Sequence, residues 1–189
     1  MKASLTAVLI LLTAAVSSFA QTPTAAFFKP SSDVYVGYVT TFPDYGATYD
    51  TIRLNGAEVA YNQNFRKHLS LTVAGDFVQG CPYSVSQFTG TVGPKVVLLT
   101  GKIRPYGTLL AGYSRQNSNG MYASDHHPAL PAGKSLTESG LTYRMGGGVD
   151  IQLSSKVYWR AIQFDMQPQP WGRHTPDYSN WGSGFGYRF

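Results

Sequence analysis

From residue 33 onward, apolar and polar side chains trade places with a period of two. Between residues 68 and 78, Leu69, Leu71, Val73 and Phe77 alternate with Ser70, Thr72, Ala74 and Asp76. Between 54 and 62, Ala57, Val59 and Tyr61 alternate with Gly56, Glu58, Ala60 and Asn62. Successive side chains of a strand point to opposite faces, so the pattern predicts strands with two different faces rather than helices. Eight such segments can be drawn: 33–41, 54–62, 68–78, 87–98, 103–114, 139–153, 157–166 and 178–189. Each has roughly the ten residues a tilted strand needs to cross a bilayer core. Pro94 and Pro105 fall inside two of them. Proline cannot donate to a ladder, so both sites predict local irregularities.

The connections sort by length. Residues 42–53, 79–86, 115–138 and 167–177 form longer links, whereas 63–67, 99–102 and 154–156 form short turns. In an antiparallel meander alternate connections lie at opposite ends, so the longer links gather at one end. Short periplasmic turns, longer extracellular loops and an even strand number are the pattern of an outer-membrane barrel. The hydrocarbon layer holds no water, so an open sheet edge there leaves backbone groups unpaired at several kcal/mol each. Closure removes the edges by pairing the first strand with the eighth. The expected fold is therefore all-β: an eight-stranded antiparallel up-and-down transmembrane β-barrel in the cell outer membrane, in contact with its lipid.

Composition sharpens this picture. Aromatic residues make up 14%, glycine 20 of 189 residues, and charged residues only 13%. An average soluble chain carries about a quarter charged residues and about 7% glycine, so the outer surface is expected to face something other than water. Residues 1–20 read as a secretory signal peptide: Lys2, an apolar stretch from 5 to 16, then Ser18-Phe19-Ala20 before the expected cleavage site. The apolar stretch is too short to span a bilayer as a helix. Residues 21–32 are expected to form a short periplasmic leader, and 33–189 the barrel domain. The single cysteine, Cys81, cannot form a disulfide within the chain. Loss of Lys2 takes the formal charge from +5 to +4. Lys and Arg do not cluster, so no nucleic-acid partner is expected.

The eighth strand alternates most regularly. Trp181, Phe185, Tyr187 and Phe189 share one face with Ser183, opposite Asn180, Gly182, Gly184, Gly186 and Arg188. The ring face is expected to meet lipid, with Tyr187 and Phe189 in an interfacial aromatic girdle. A last strand ending Tyr-Arg-Phe resembles the assembly signal of bacterial outer-membrane barrels. Residues 104–115 (RPYGTLLAGYSR) and 146–166 (GGGVDIQLSSKVYWRAIQFDM) resemble strands five to seven of small barrels like the membrane domain of outer-membrane protein A. The resemblance implies recognition of Trp181, Phe185, Tyr187 and Phe189 by the barrel-assembly machinery. Unlike outer-membrane protein A, the chain is expected to carry no C-terminal peptidoglycan-binding domain, so cell-wall anchoring is not implied.

The bore of an eight-stranded barrel is just filled by side chains. The expected inward face is charged with both signs: Glu58, Asp76, Lys95, Arg144, Asp150, Arg160, Asp165 and Arg188, with Gln163 beside them. Buried charges must be paired, so an internal salt-bridge network that blocks the bore is expected; a narrow gated ion path is the alternative. Arg160 and Asp165 differ by an odd number and cannot share a face of a regular strand. Either one faces lipid or a bulge lies between them, and the cost of a charge on the lipid face favours the bulge.

Other chemistry is weaker. Asp125, His126 and His127 are a poor chelate, because adjacent side chains diverge in extended chain, and no metal or other cofactor is expected. His174, Asp177 and Ser179 could be read as a hydrolase set, but Tyr178-Ser179-Asn180 lacks the His expected two places before the serine of a lipid A deacylase. Gly146-Gly147-Gly148 lacks the Lys-Ser/Thr of a phosphate loop and suits a tightly curved wall. The expected function is a non-enzymatic, monomeric outer-membrane barrel serving envelope integrity or surface interaction through loops such as 41–50 and 115–122. Two alternatives remain: a lipid-modifying enzyme on the same scaffold, and a secreted lipocalin-like carrier with an apolar lumen and polar exterior.

Overall fold

The computed structural model describes residues 31–43, 53–80, 85–119, 135–168 and 177–189. Eight strands account for nearly all of them: β1 (Ser31–Pro43), β2 (Leu54–Asn64), β3 (Leu69–Gly80), β4 (Val85–Val97), β5 (Ile103–Asn119), β6 (Ser135–Gln152), β7 (Val157–Pro168) and β8 (Asp177–Arg188). Each strand pairs antiparallel with its sequence neighbours, and β1 pairs with β8, so the sheet closes into an up-and-down barrel.

The register fixes the barrel's shape. Paired residues followed once around the wall from Ser31 run through Asn64, Ser70, Lys95, Thr108, Gly146, Asp165 and Asn180 and return to β1 at Thr41, ten residues along. With about 3.3 Å per residue and strands about 4.8 Å apart, this stagger tilts the strands by about 40° and sets a radius of about 8 Å. Such a bore has room for side chains and little else.

Burial follows the period of two and is inverted relative to a soluble protein. Val36, Val59, Phe77, Phe88, Tyr143 and Met145 point outward and are about half exposed. Glu58, Asp76, Lys95, Arg144, Asp150, Arg160 and Asp165 point inward and are buried. This overturns the lipocalin-like alternative, which needs the opposite arrangement. An apolar band outside a polar lumen is the signature of a transmembrane barrel.

Several boundaries differ from the sequence expectation. β1 begins at Ser31 and pairs from there with Asn64. The connection after β3 is not long: Gln79 pairs with Ser86 and Gly80 with Val85, because Gly80 and Val85 continue the buried face past the expected strand ends. β5 and β6 run on to pair Asn119 with Ser135. The prolines do not shift the register. Val92–Ala111 and Lys95–Thr108 keep one alignment, but Gly93 and Pro94 between them drop out of the β4–β5 ladder, the local irregularity expected at Pro94. Pro105 sits where the β4–β5 ladder ends and accepts a hydrogen bond from the Leu98 N–H at 2.8 Å, so its missing N–H costs no interior rung.

The true irregularity is in β7. The register of β7 shifts against β6 between Val149 and Asp150, and against β8 between Arg160 and Gln163. The bulge at Ala161 and Ile162 turns Arg160, Gln163 and Asp165 all into the lumen. The neighbouring strand fits against it closely. A Cβ on Gly146 would lie 2.1 Å from the Phe164 carbonyl oxygen, and one on Gly148 2.3 Å from that of Ile162.

Candidate functional site

The lumen holds one connected polar network. Arg144, projecting from β6, is 1% exposed. Its Nε and Nη2 donate to Asp165 Oδ2 at 3.0 and 2.9 Å, its Nη1 donates to Asp76 Oδ1 at 3.1 Å, and Nη2 also donates to Glu58 Oε2. One guanidinium thus ties β2, β3, β6 and β7 together across the bore. A second cluster lies toward the short-turn end. Asp150 accepts from Lys95 Nζ at 2.8 Å and from Arg160 Nε at 2.9 Å.

Gln163 joins the two clusters. Its Oε1 accepts from Arg160 Nη1 at 2.8 Å, while its Nε2 donates to Asp165 Oδ2 at 2.7 Å and to Glu58 at 3.2 Å. An amide suits this position because it offers an acceptor to a cation and donors to carboxylates at once. Three tyrosines fill the remaining width. The Arg160 guanidinium lies over the rings of Tyr35 and Tyr106, at 3.9 and 4.7 Å, and Lys95 Nζ over Tyr106 at 4.0 Å. Such cation–π contacts replace part of the lost hydration. Tyr158 donates to Asp33 at 2.7 Å, and Asn62 and Asn64 donate to the same carboxylate. The space left among Glu58, Lys95, Arg160 and Asp165 is a cavity of about 10 Å³, at the lower limit for a single water.

Above the ions lies a layer of amides and hydroxyls. Thr41 donates to Asn180 at 2.7 Å, Asn180 to Gln167 at 2.9 Å, and Gln87 to Ser114 at 2.9 Å. Among the described residues only Gln87 Oε1 and Thr91 Oγ1 are buried without a partner.

Seven of the eight charged residues expected in the lumen meet in this network. Arg188 does not: it faces inward near the short-turn end of the barrel but makes no ion pair among the described residues. Arg188 is the last residue of β8, and the carboxylate across from it, Asp33, is taken by Asn62, Asn64 and Tyr158. Asp33, Tyr35, Tyr106 and Tyr158 join the lumen without having been expected there. Their signal is parity, since Asp33 and Tyr35 alternate with outward Val34 and Val36. Trp181, Phe185, Tyr187 and Phe189 all point outward. Ser179 pairs with Phe42 and Met166 on the same outward side of β8. Cys81, Asp125, His126, His127 and His174, the side chain of Asp177, the signal peptide and most of the leader and long connections lie outside the described residues.

No family model and no curated protein matches the chain. Solved structures do. Ail, the attachment invasion locus protein of Yersinia pestis, superposes with a TM-score of 0.60 at 17% identity, covering 86% of this chain and all of that one. A second structure of Ail, in complex with the heparin analogue sucrose octasulfate, superposes with a TM-score of 0.54. Neisserial surface protein A matches with a TM-score of 0.59 at 8% identity, over 83% of this chain and 95% of that one. The N-terminal β-barrel domain of Pseudomonas aeruginosa OprF matches with 0.50 at 11% identity, over 85% of this chain and all of that one. Closed topology, apolar exterior, ionic lumen and these likenesses agree: the chain has the fold of the small eight-stranded outer-membrane β-barrels.

Proposed function

We propose that the chain is a non-enzymatic, monomeric outer-membrane protein whose ion-filled barrel is a closed, rigid mount for its long connections. Those connections serve envelope integrity or contact with a surface partner. The observation that carries this reading is the Arg144 network: it spans the bore between opposite walls, and the cavity among Glu58, Lys95, Arg160 and Asp165 beside it holds about 10 Å³. A bore so filled offers ions no continuous water path, so the wall resists collapse without conducting. Loops on a rigid scaffold are where binding residues concentrate. The likeness to Ail makes a sulfated polymer the first surface ligand to test. Trp181, Phe185, Tyr187 and Phe189 serve as the recognition strand for the assembly machinery, their rings being presented outward in one row.

The test is expression with the native signal in a Gram-negative host, outer-membrane fractionation, and gel electrophoresis before and after boiling. A membrane-bound band that runs faster unheated, and no stepwise conductance after reconstitution in a planar bilayer, are the expected results. A soluble periplasmic protein, or reproducible channel steps, overturns the reading.

A further inference from the structure

The charges at the short-turn mouth are unlike those deeper in the bore. Lys95, Arg144 and Arg160 are each bound to carboxylates. At the mouth, Arg66 and Lys67 of the β2–β3 turn and the inward-facing Arg104 and Arg188 surround a cleft of about 270 Å³, with Asn64 and Gln152 between them. Among the described residues none of these four cations forms an ion pair. The inward carboxylates beside them are already taken: Asp33, across from Arg188, by Asn62, Asn64 and Tyr158, and Asp150, across from Arg104, by Lys95 and Arg160.

The short turns offer no acidic side chain there. Residues 63–69, 98–105 and 152–157, which make up the three short turns, contain no Asp or Glu, and neither do residues 21–30, which precede β1. Lys102 and Lys156, in the other two short turns, lie outside the cleft lining. Unpaired cations around a concave, polar cleft, Arg104 and Arg188 half-buried and Arg66 and Lys67 exposed, attract an anion, and guanidinium groups suit phosphate and carboxylate in particular. We propose that this mouth is a binding site for a small water-soluble polyanion of the phosphate or carboxylate class, held by Arg66, Lys67, Arg104 and Arg188.

Size and direction narrow the ligand. At about 30 Å³ per water, the cleft matches a phosphate ester or pyrophosphate rather than a polymer. Arg104 and Arg188 lie on the inward side of their strands, so the ligand enters from the aqueous compartment below the barrel and not from the lipid. A phospholipid headgroup carries the same phosphate but sits outside the wall. The site stands whatever the long connections bind.

The test uses the full mature barrel, refolded in an uncharged detergent at low salt and titrated calorimetrically with inorganic pyrophosphate. Saturable binding is expected. It should weaken at least tenfold in Arg104→Gln/Arg188→Gln and measurably in Arg66→Gln, a turn residue outside the ladders, while Lys102→Gln, outside the cleft, retains it. Gel mobility before boiling shows that each variant is folded. No saturable binding, or equal loss in Lys102→Gln and Arg104→Gln/Arg188→Gln, overturns the site. Nanodiscs separate the sources. Equal pyrophosphate affinity in phosphatidylcholine and phosphatidylglycerol supports a soluble ligand; loss in phosphatidylglycerol assigns the cleft to a headgroup and overturns the soluble one.

Discussion

Arg144→Met removes the charge at the centre of the lumen while keeping most of the side chain's length. Three carboxylates then lose their cation: Asp165, held at 2.9 and 3.0 Å, Asp76 at 3.1 Å, and Glu58. Gln163 still donates to Asp165 and Glu58, whereas Asp76 keeps only the Thr89 hydroxyl and no cation. Breaking a buried pair costs about 3–5 kcal/mol because the surviving partner is left uncompensated. With three survivors the upper part of that range applies, so the loss should be about 4–5 kcal/mol. At about 1.4 kcal/mol per factor of ten, the folding constant falls roughly a thousandfold. Asp76→Asn is the matched control. It leaves Arg144 two carboxylates and an amide oxygen, and should cost about 1–2 kcal/mol. The measurement is urea unfolding in detergent micelles, approached from both directions and followed by tryptophan fluorescence and unheated gel mobility. Adding Glu58→Gln and Asp165→Asn to Arg144→Met should restore much of the loss by removing the repelling charges. An Arg144→Met barrel within about 1 kcal/mol of the parent, or an Asp76→Asn barrel less stable than Arg144→Met, refutes Arg144 as the cation that holds the lumen together.

Three further outcomes follow from the same geometry. Gly186→Ala places a Cβ 2.0 Å from Tyr158 Cζ, so the ring must leave Asp33, and urea unfolding should show a loss of about 1–3 kcal/mol; Gly90→Ala, with nothing within 4 Å, should be near neutral. Val59→Arg puts a charge midway along β2 on the lipid side, and refolding into vesicles should lose about 2–4 kcal/mol of stability, against about 0–1 for Leu98→Arg at the rim. Gln163→Glu replaces a donor that lies 2.7 Å from Asp165 Oδ2 with a third carboxylate; unfolding should come at lower urea than for Gln163→Met, and the reverse order would contradict Gln163 as the link between clusters.

Much of this architecture is legible in the sequence because a strand's period is two and the bore admits only side chains. Once Glu58 and Asp76 share a face with Ala60 and Ala74, the sense of each strand is fixed. Even the β7 bulge can be located, because Arg160 and Asp165 break the alternation that the rest of the strand keeps. The pairings themselves are not legible. Which carboxylates meet Arg144 depends on the ten-residue stagger around the wall, a sum of seven hairpin registers and the closing seam, none of which a single strand reveals. Arg188 falls outside the network for that reason: parity gives its side of the wall but not its height. Pro105 misleads in the opposite direction. Proline's cost depends on where its nitrogen points, and Pro105 meets a ladder end. The β3–β4 connection reads as long because Gly80, Cys81 and Pro82 look like a loop, although Gly80 still pairs with Val85.

The closing seam has a consequence for how the chain can be rewired. Seven of the eight strand pairs are hairpins, while the β1–β8 pair joins Asp33 to Arg188. Closing a loop of that length costs about 4–5 kcal/mol of chain entropy. The two sides of the seam end together: Ser32 and Phe189 exchange backbone hydrogen bonds at 2.9 and 3.2 Å. A short linker could therefore join Phe189 to Ser31, and new ends could be opened in the turn at Ser155. Topologically the barrel is a ring with no privileged starting strand. Such a circular permutant, carrying the signal sequence ahead of Lys156, should fold in micelles, since every rung survives. In it Phe189 is followed by the linker, so the proposed recognition of the last strand by the assembly machinery predicts refolding in vitro with failed delivery to the outer membrane, and delivery at the parent's level would refute that role.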